Sequence, residues 1–135
     1  MPDSFFDTNV LIYLASGDVA KAERAERLLA DGGTISVQVL NEVANVARRE
    51  MRLSWMETHA FLGLLRDLLP VEPITVETHE AGLALAERYE LSTYDALIAA
   101  SALQAACDTL WSEDMRHGMV LERRLRVVNP FRTAD

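Results

Sequence analysis

Four carboxylates stand where the chain could turn them to chemistry: Asp7, Glu42, Asp95 and Asp114. Asp7 closes a short apolar run near the start of the chain. Glu42 falls in the first turns of a predicted helix after the second apolar run, and Asp95 opens another predicted helix just after Ser92. Asp114 lies just past the apolar run that ends at Ser112. If these runs are strands of an open α/β sheet, all four acids project to the carboxyl ends of the strands, where such sheets bind ligands. Hard divalent cations such as Mg²⁺ or Mn²⁺ prefer oxygen ligands, and Mg²⁺ keeps most of its waters and takes only one or two carboxylates directly. Four acids therefore suit one or two ions. Two carboxylates about 4 Å apart repel by about 4 kcal/mol at an effective dielectric near 20. Gathering them implies a cation, or protons held at raised pKa. A bound metal polarises a phosphoryl oxygen and makes hydroxide from water near neutral pH, which is the chemistry of phosphodiester hydrolysis.

Each acid also has a purely structural reading. Asp7 ahead of Thr8-Asn9 is a good helix cap, and Asp95 in a first helical turn is favoured by the helix dipole. Asp114 shares its loop with Glu113; either suits a ligand role, and Asp114 is preferred. Glu42, on an otherwise apolar and alanine-rich segment, is the hardest to explain by structure alone.

Short apolar runs alternate with helical segments along the chain, the pattern of an α/β domain with a parallel sheet. Strands are predicted at Ser4–Asp7, Thr34–Val37, Val71–Val76, Asp108–Ser112 and Leu125–Val128. Pro73 marks the third as an edge strand, since proline donates no ladder hydrogen bond. Helices are predicted over Val10–Leu14, Val19–Ala30 (capped by Asp18), Val39–Met51, a segment from the capping box Ser54-Trp55-Met56-Glu57 to Leu69, Thr78–Tyr89 and Thr93–Ala106. The fold class expected is a three-layer α/β/α sandwich around a short, mainly parallel, about five-stranded sheet, with residues 1–135 as one domain.

The composition agrees. The chain has 135 residues, 50% hydrophobic and 25% charged, ordinary for one globular domain and long enough to bury about two-thirds of its surface. No apolar run approaches the ~20 residues of a membrane span. The first twenty residues carry no Lys or Arg, unlike a secretory signal, and the single cysteine, Cys107, excludes a disulfide framework. The chain reads as cytosolic. A net charge of −8 argues against binding nucleic acid by bulk charge. It leaves open a nucleic-acid enzyme whose acids sit in one site and whose arginines cluster elsewhere, as Arg48, Arg49 and Arg52 do.

The motifs around the acids resemble those of PIN-domain ribonucleases. Phe5-Phe6-Asp7-Thr8-Asn9-Val10-Leu11-Ile12-Tyr13 resembles the opening of that family, and Ser36 to Val43 its second block. Leu91 to Ala102 is similar to the third block, Leu110 to Gly118 to the fourth, and Asn129-Pro130-Phe131 to the usual ending. Four blocks in register span nearly the whole chain, at a size suggesting the VapC-type toxin branch of toxin–antitoxin pairs. The resemblance implies a metal-dependent endoribonuclease, with Mg²⁺ or Mn²⁺ held by Asp7, Glu42, Asp95 and Asp114. It implies site-tuning hydrogen bonds from Asn9 and Ser112. It also implies an RNA substrate, a cognate small antitoxin protein and a homodimer.

The remaining candidates are blander. His59 and His79 have no partner spacing. His117 reads as a structural loop residue, Cys107 as a small buried hydrophobe, Tyr94 as packed beside Asp95, and Trp55 as a core residue. The apolar helix pair around residues 39–69 could offer a groove to an antitoxin, and Arg48, Arg49 and Arg52 could touch RNA. Two other functions compete. An aspartate-dependent phosphatase would want an acid where Asn9 stands and a lysine for the phosphate, yet Lys21 is the only lysine. A catalytically silent interaction module would need no metal.

Overall fold

The computed structural model describes residues 3–132. Strand β1 (Ser4–Phe6) pairs in parallel with β4 (Thr109–Trp111), and β4 in parallel with β6 (Leu125–Val128). β5 (Val120–Leu121) is antiparallel to β6. On the other side of β1, a bridge between Phe5 and Thr34 leads to the parallel pair β2 (Ile35–Ser36) and β3 (Val71–Glu72). There Phe6 donates its N–H to the Thr34 carbonyl at 3.1 Å, and Thr34 donates to the Ser4 carbonyl at 2.9 Å. The spatial order is therefore β3-β2-β1-β4-β6-β5. The chain leaves β1 toward β2 and returns after β3 to β4 on the opposite side. That reversal makes a switch point, with its crevice at the carboxyl ends of β1 and β4.

Helix α1 (Thr8–Ile12) runs on into a 3₁₀ turn, Tyr13–Ala15. It is followed by α2 (Val19–Ala30), α3 (Val37–Arg49), α4 (Trp55–Leu68), α5 (Val76–Tyr89) and α6 (Thr93–Gln104). Their starts are written locally. Asp18 accepts from the Lys21 N–H, Ser54 and Glu57 form the reciprocal capping box, and Ser92 accepts from the Asp95 N–H. Helix α6 is buried on every side from Ala96 to Ala102 and packs against α5, α3 and β2. Its alanines permit close approach, and so does Gly82 of α5, where a Cβ would come 2.9 Å from Leu97 Cδ2. Phe5, Phe6, Ile98 and Leu110 are fully buried, each stabilising by about 1.5–3 kcal/mol. This packing locks α6 against the sheet and thereby fixes Asp95 in its first turn. No described helix is long and apolar enough to cross a membrane.

Two sequence expectations need correction. The third strand stops at Glu72 instead of running to Val76, because Pro73 withholds a donor and Thr75 is already the cap of α5. A sixth strand, β5, was not expected. Its hairpin turns through Glu122 and Arg123, both at positive φ (51° and 58°), and Arg124 donates back to the Leu121 carbonyl at 3.1 Å. Such a turn usually announces itself with Asn-Gly or Asp-Gly; here Tyr89 Oη and Arg88 hold Glu122 instead.

Candidate active site

Asp7 is the first residue past β1 and the N-cap of α1. Its Oδ1 accepts the Thr8 N–H at 2.7 Å, and its Oδ2 accepts the Ser112 hydroxyl at 2.6 Å and Asn9 Nδ2 at 3.4 Å. One oxygen of this carboxylate thus serves as the helix cap, and the other is held by Ser112 and Asn9. The side chain is only 3% exposed. Burial, and then the charges of Asp95 and Glu42, push its pKa up to about 6, against the opposing hydrogen bonds from Ser112 and Thr8.

Glu42 sits on α3, half-buried, with both oxygens engaged. Oε1 accepts from Thr8 Oγ1 at 2.8 Å and Oε2 from Gln38 Nε2 at 3.0 Å. Asp95, half-buried, has its carboxyl pushed upward first by burial and then by the charges of Glu42 and Asp114. Asp114 is exposed and lines a cleft of about 410 Å³ with Glu42, Thr8, Asn9 and Tyr13. The four acids therefore share one electrostatic neighbourhood at the carboxyl edge of the sheet. Among the described residues no three Asp, Glu, His or Cys side chains converge tightly enough to form a ready-made metal cage.

Glu113 is turned elsewhere. Its Oε2 lies 2.5 Å from Lys21 Nζ, and its Oε1 accepts the Tyr13 hydroxyl at 2.6 Å. Although partial burial opposes it, the hydrogen bonds from Lys21 and Tyr13 hold this carboxyl below its usual value. The Glu113 N–H donates to Asn9 Oδ1 at 3.0 Å, and the Met115 N–H to Ser112 Oγ at 3.1 Å. The loop is thus pinned on both sides of Asp114, which alone of the two acids faces the cleft. Lys21, committed to Glu113 and Tyr13, is not available to a phosphate in that cleft.

Asn9 and Ser112 both hold Asp7. Thr8 and Gln38, which fix Glu42, were not singled out in the sequence. Gln38 was accessible from its i,i+4 spacing to Glu42 on a helix; Thr8 reaches Glu42 only through the tertiary fold. His117 is structural as expected, its Nδ1 accepting the Asn129 N–H at 3.0 Å. Cys107 is buried, which pushes its thiol up to about 11. Tyr94 and Trp55, expected to be packed, are 63% and 61% exposed. Both stand in the first turn of a helix, ahead of the residues that it buries: Thr58 and Leu65 on α4, Ala96 to Ala102 on α6.

The chain is similar in fold to several solved structures. A toxin–antitoxin complex from Klebsiella pneumoniae is 23% identical, with 97% of this chain and 100% of that chain covered and a TM-score of 0.73. VapC20 from Mycobacterium tuberculosis, a toxin that cleaves the sarcin–ricin loop, is 22% identical over 83% and 92% of the two chains, with a TM-score of 0.69. VapBC2 from Rickettsia felis, bound to a DNA fragment from its promoter, is 18% identical over 92% and 96%, with a TM-score of 0.62. No curated protein matches the sequence. The family model of the PIN domain matches residues 4–120, from β1 into β5 and across all four acids. The chain belongs to the PIN domain family.

Proposed function

We propose that this chain is a metal-dependent endoribonuclease acting as the toxin of a toxin–antitoxin pair. The observation that carries the reading is the set of mutually repelling carboxylates at the sheet switch point, with Asp7 both buried and raised to about 6. A donor set made only of carboxylate oxygens fits a hard divalent ion that keeps part of its water shell. Asp7, Glu42, Asp95 and Asp114 are the residues that would hold Mg²⁺ or Mn²⁺. Such an ion supplies a Lewis acid for the phosphoryl group and makes water acidic enough to attack near neutral pH.

The protein's own groups prepare the site. The Ser112 hydroxyl and the Thr8 N–H fix the two oxygens of Asp7, so its charge is presented in one direction. Thr8 and Gln38 do the same for Glu42. Asn9 ties Asp7 to the loop that carries Asp114. The expected substrate is single-stranded or looped RNA. VapC20's cleavage of an RNA loop and the antitoxin-bound state of other fold relatives support this substrate and a small antitoxin as partner. Homodimer assembly belongs to the same proposal.

The test is cleavage of total cellular RNA by purified, antitoxin-free protein with Mg²⁺, with Mn²⁺ and with EDTA. Discrete fragments that vanish in EDTA are expected; no cleavage by folded protein with either metal would overturn the reading. The division of labour in the Glu113-Asp114 pair gives a second check. Asp114→Asn is expected to lower kcat/KM by about a hundredfold, in the range for losing one preorganised charge. Glu113→Gln, which loosens only a half-exposed ion pair, should stay within about tenfold. The reverse order would assign the site to Glu113.

A further inference from the structure

Helix α3 carries a second concavity beside the acidic cleft. This groove, of about 390 Å³, is lined by Asn41, Asn45, Arg48, Arg49 and Trp55. Asn45 also lines the acidic cleft, so the two are contiguous. Glu42, Asn45 and Arg49 follow one helix face at spacings of three and four residues. At 1.5 Å of rise per residue, about 10 Å separates Glu42 from Arg49 along the axis.

The charge and chemistry of the groove differ from those of the rest of the molecule. The chain carries −8 overall, yet neither ion pair among the described residues involves Arg48, Arg49 or Arg52. Arg48 is held rigidly, its Nη1 donating to the Leu53 carbonyl at 2.6 Å and its guanidinium lying 4.2 Å from the Trp55 ring centre. Trp55 is 61% exposed, and the exposed His59 ring stands 6.1 Å away, too far to be stacked on it. A cation braced against an exposed indole, beside the Arg49 guanidinium, suits a single nucleic-acid strand: bases stack on the aromatic and Arg planes while phosphates meet the cations. An acidic chain that must approach a polyanion needs such a local positive stretch.

We propose that this groove binds the single-stranded RNA flanking the scissile phosphate, with a base stacked at Trp55 and Arg48 and a backbone phosphate at Arg49. The inference rests on the ribonuclease reading and adds to it a substrate subsite outside the acidic cleft.

The test is fluorescence anisotropy of a fluorescein-labelled, mixed-sequence single-stranded RNA, titrated with protein in EDTA over a salt series. Trp55→Ala should weaken binding by about 5- to 150-fold, the range for losing one base stack, and Trp55→Phe by much less. Arg49→Gln should flatten the slope of log affinity against log salt by about 0.7, one phosphate contact on a single strand. Arg88→Gln, on the exposed face of α5, should change neither. With Mg²⁺ present, the groove variants should raise KM and leave kcat unchanged. RNA binding by the unmodified protein that survives Trp55→Ala and Arg49→Gln with the same slope overturns the subsite and leaves the nuclease reading intact. Loss of self-association by light scattering in the same variants, with RNA binding unchanged, overturns it in favour of a contact between copies. Absence of RNA binding and cleavage in the unmodified protein overturns both readings.

Discussion

Asp7→Asn is expected to lower RNA cleavage by at least about a hundredfold while leaving the far-ultraviolet circular dichroism unchanged. The size follows from the loss of a preorganised charge at the point where a phosphoryl group must be neutralised and water activated. The intact fold follows from the local contacts. An asparagine oxygen still accepts one of the two short bonds that Asp7 accepts, from the Thr8 N–H or from the Ser112 hydroxyl. The shape is kept, so α1 retains a cap and the β1–β4 register, with Phe6 opposite Trp111, is untouched. Activity should be followed in single-turnover cleavage with Mg²⁺, so that product release does not mask the chemical step. Unchanged turnover would remove Asp7 from the mechanism and turn its burial and its bonds to Ser112 and Thr8 into a capping device alone.

The features legible in the sequence are those determined locally. Asp18, Ser54 and Ser92 stand one residue before their helices and accept N–H groups three residues on, so composition alone marks those starts. The apolar runs ending at Asp7 and Ser112 place two polar side chains at one sheet edge, because parallel strands put their carboxyl ends together. What local pattern does not carry is decided at long range. The side chains of Glu113 and Asp114 part only because Lys21, 92 residues away, and Tyr13, 100 residues away, claim the first. The tether from Thr8 to Glu42 spans 34 residues and has no periodic signature. The β5 hairpin is held by Tyr89 and Arg88 in place of a glycine at its turn, so no turn signal precedes it. Trp55 and Tyr94 are exposed because each stands in the first turn of its helix, ahead of the residues that it buries, and a first-turn aromatic sits too near the end for periodicity to decide.

The raised carboxyl at Asp7 makes a second large effect measurable without any RNA. In the unfolded chain this group titrates at its ordinary value of 3.8; in the folded protein it does so at about 6. Between those values the folded state holds a proton that the unfolded state has released, so this group's contribution to stability falls as pH rises through the window and is constant outside it. The difference corresponds to about 3 kcal/mol at pH 8. Asp7→Asn removes that penalty and returns about 1–2 kcal/mol of it through the hydrogen bond its amide cannot accept. In EDTA at pH 8 the variant should therefore melt about 5 °C above the unmodified protein, at the few degrees per kcal/mol expected for this chain length. The gap should close as pH is lowered through the window, and reverse toward about pH 3, below both values, where Asp7 is neutral in both states and only the lost hydrogen bond remains. Taking the difference between the two proteins cancels the opposing contributions of Glu57 and Glu113, whose carboxyls are held below their usual value. Adding Mg²⁺ at pH 8 should stabilise the unmodified protein by mass action, by about 2.7 kcal/mol at a hundred times its dissociation constant, and the variant by much less. A variant that melts below the unmodified protein at pH 8 in EDTA would show that Asp7 is not a strained, uncompensated charge. The cluster would then lack the electrostatic reason for a cation on which its proposed chemistry depends.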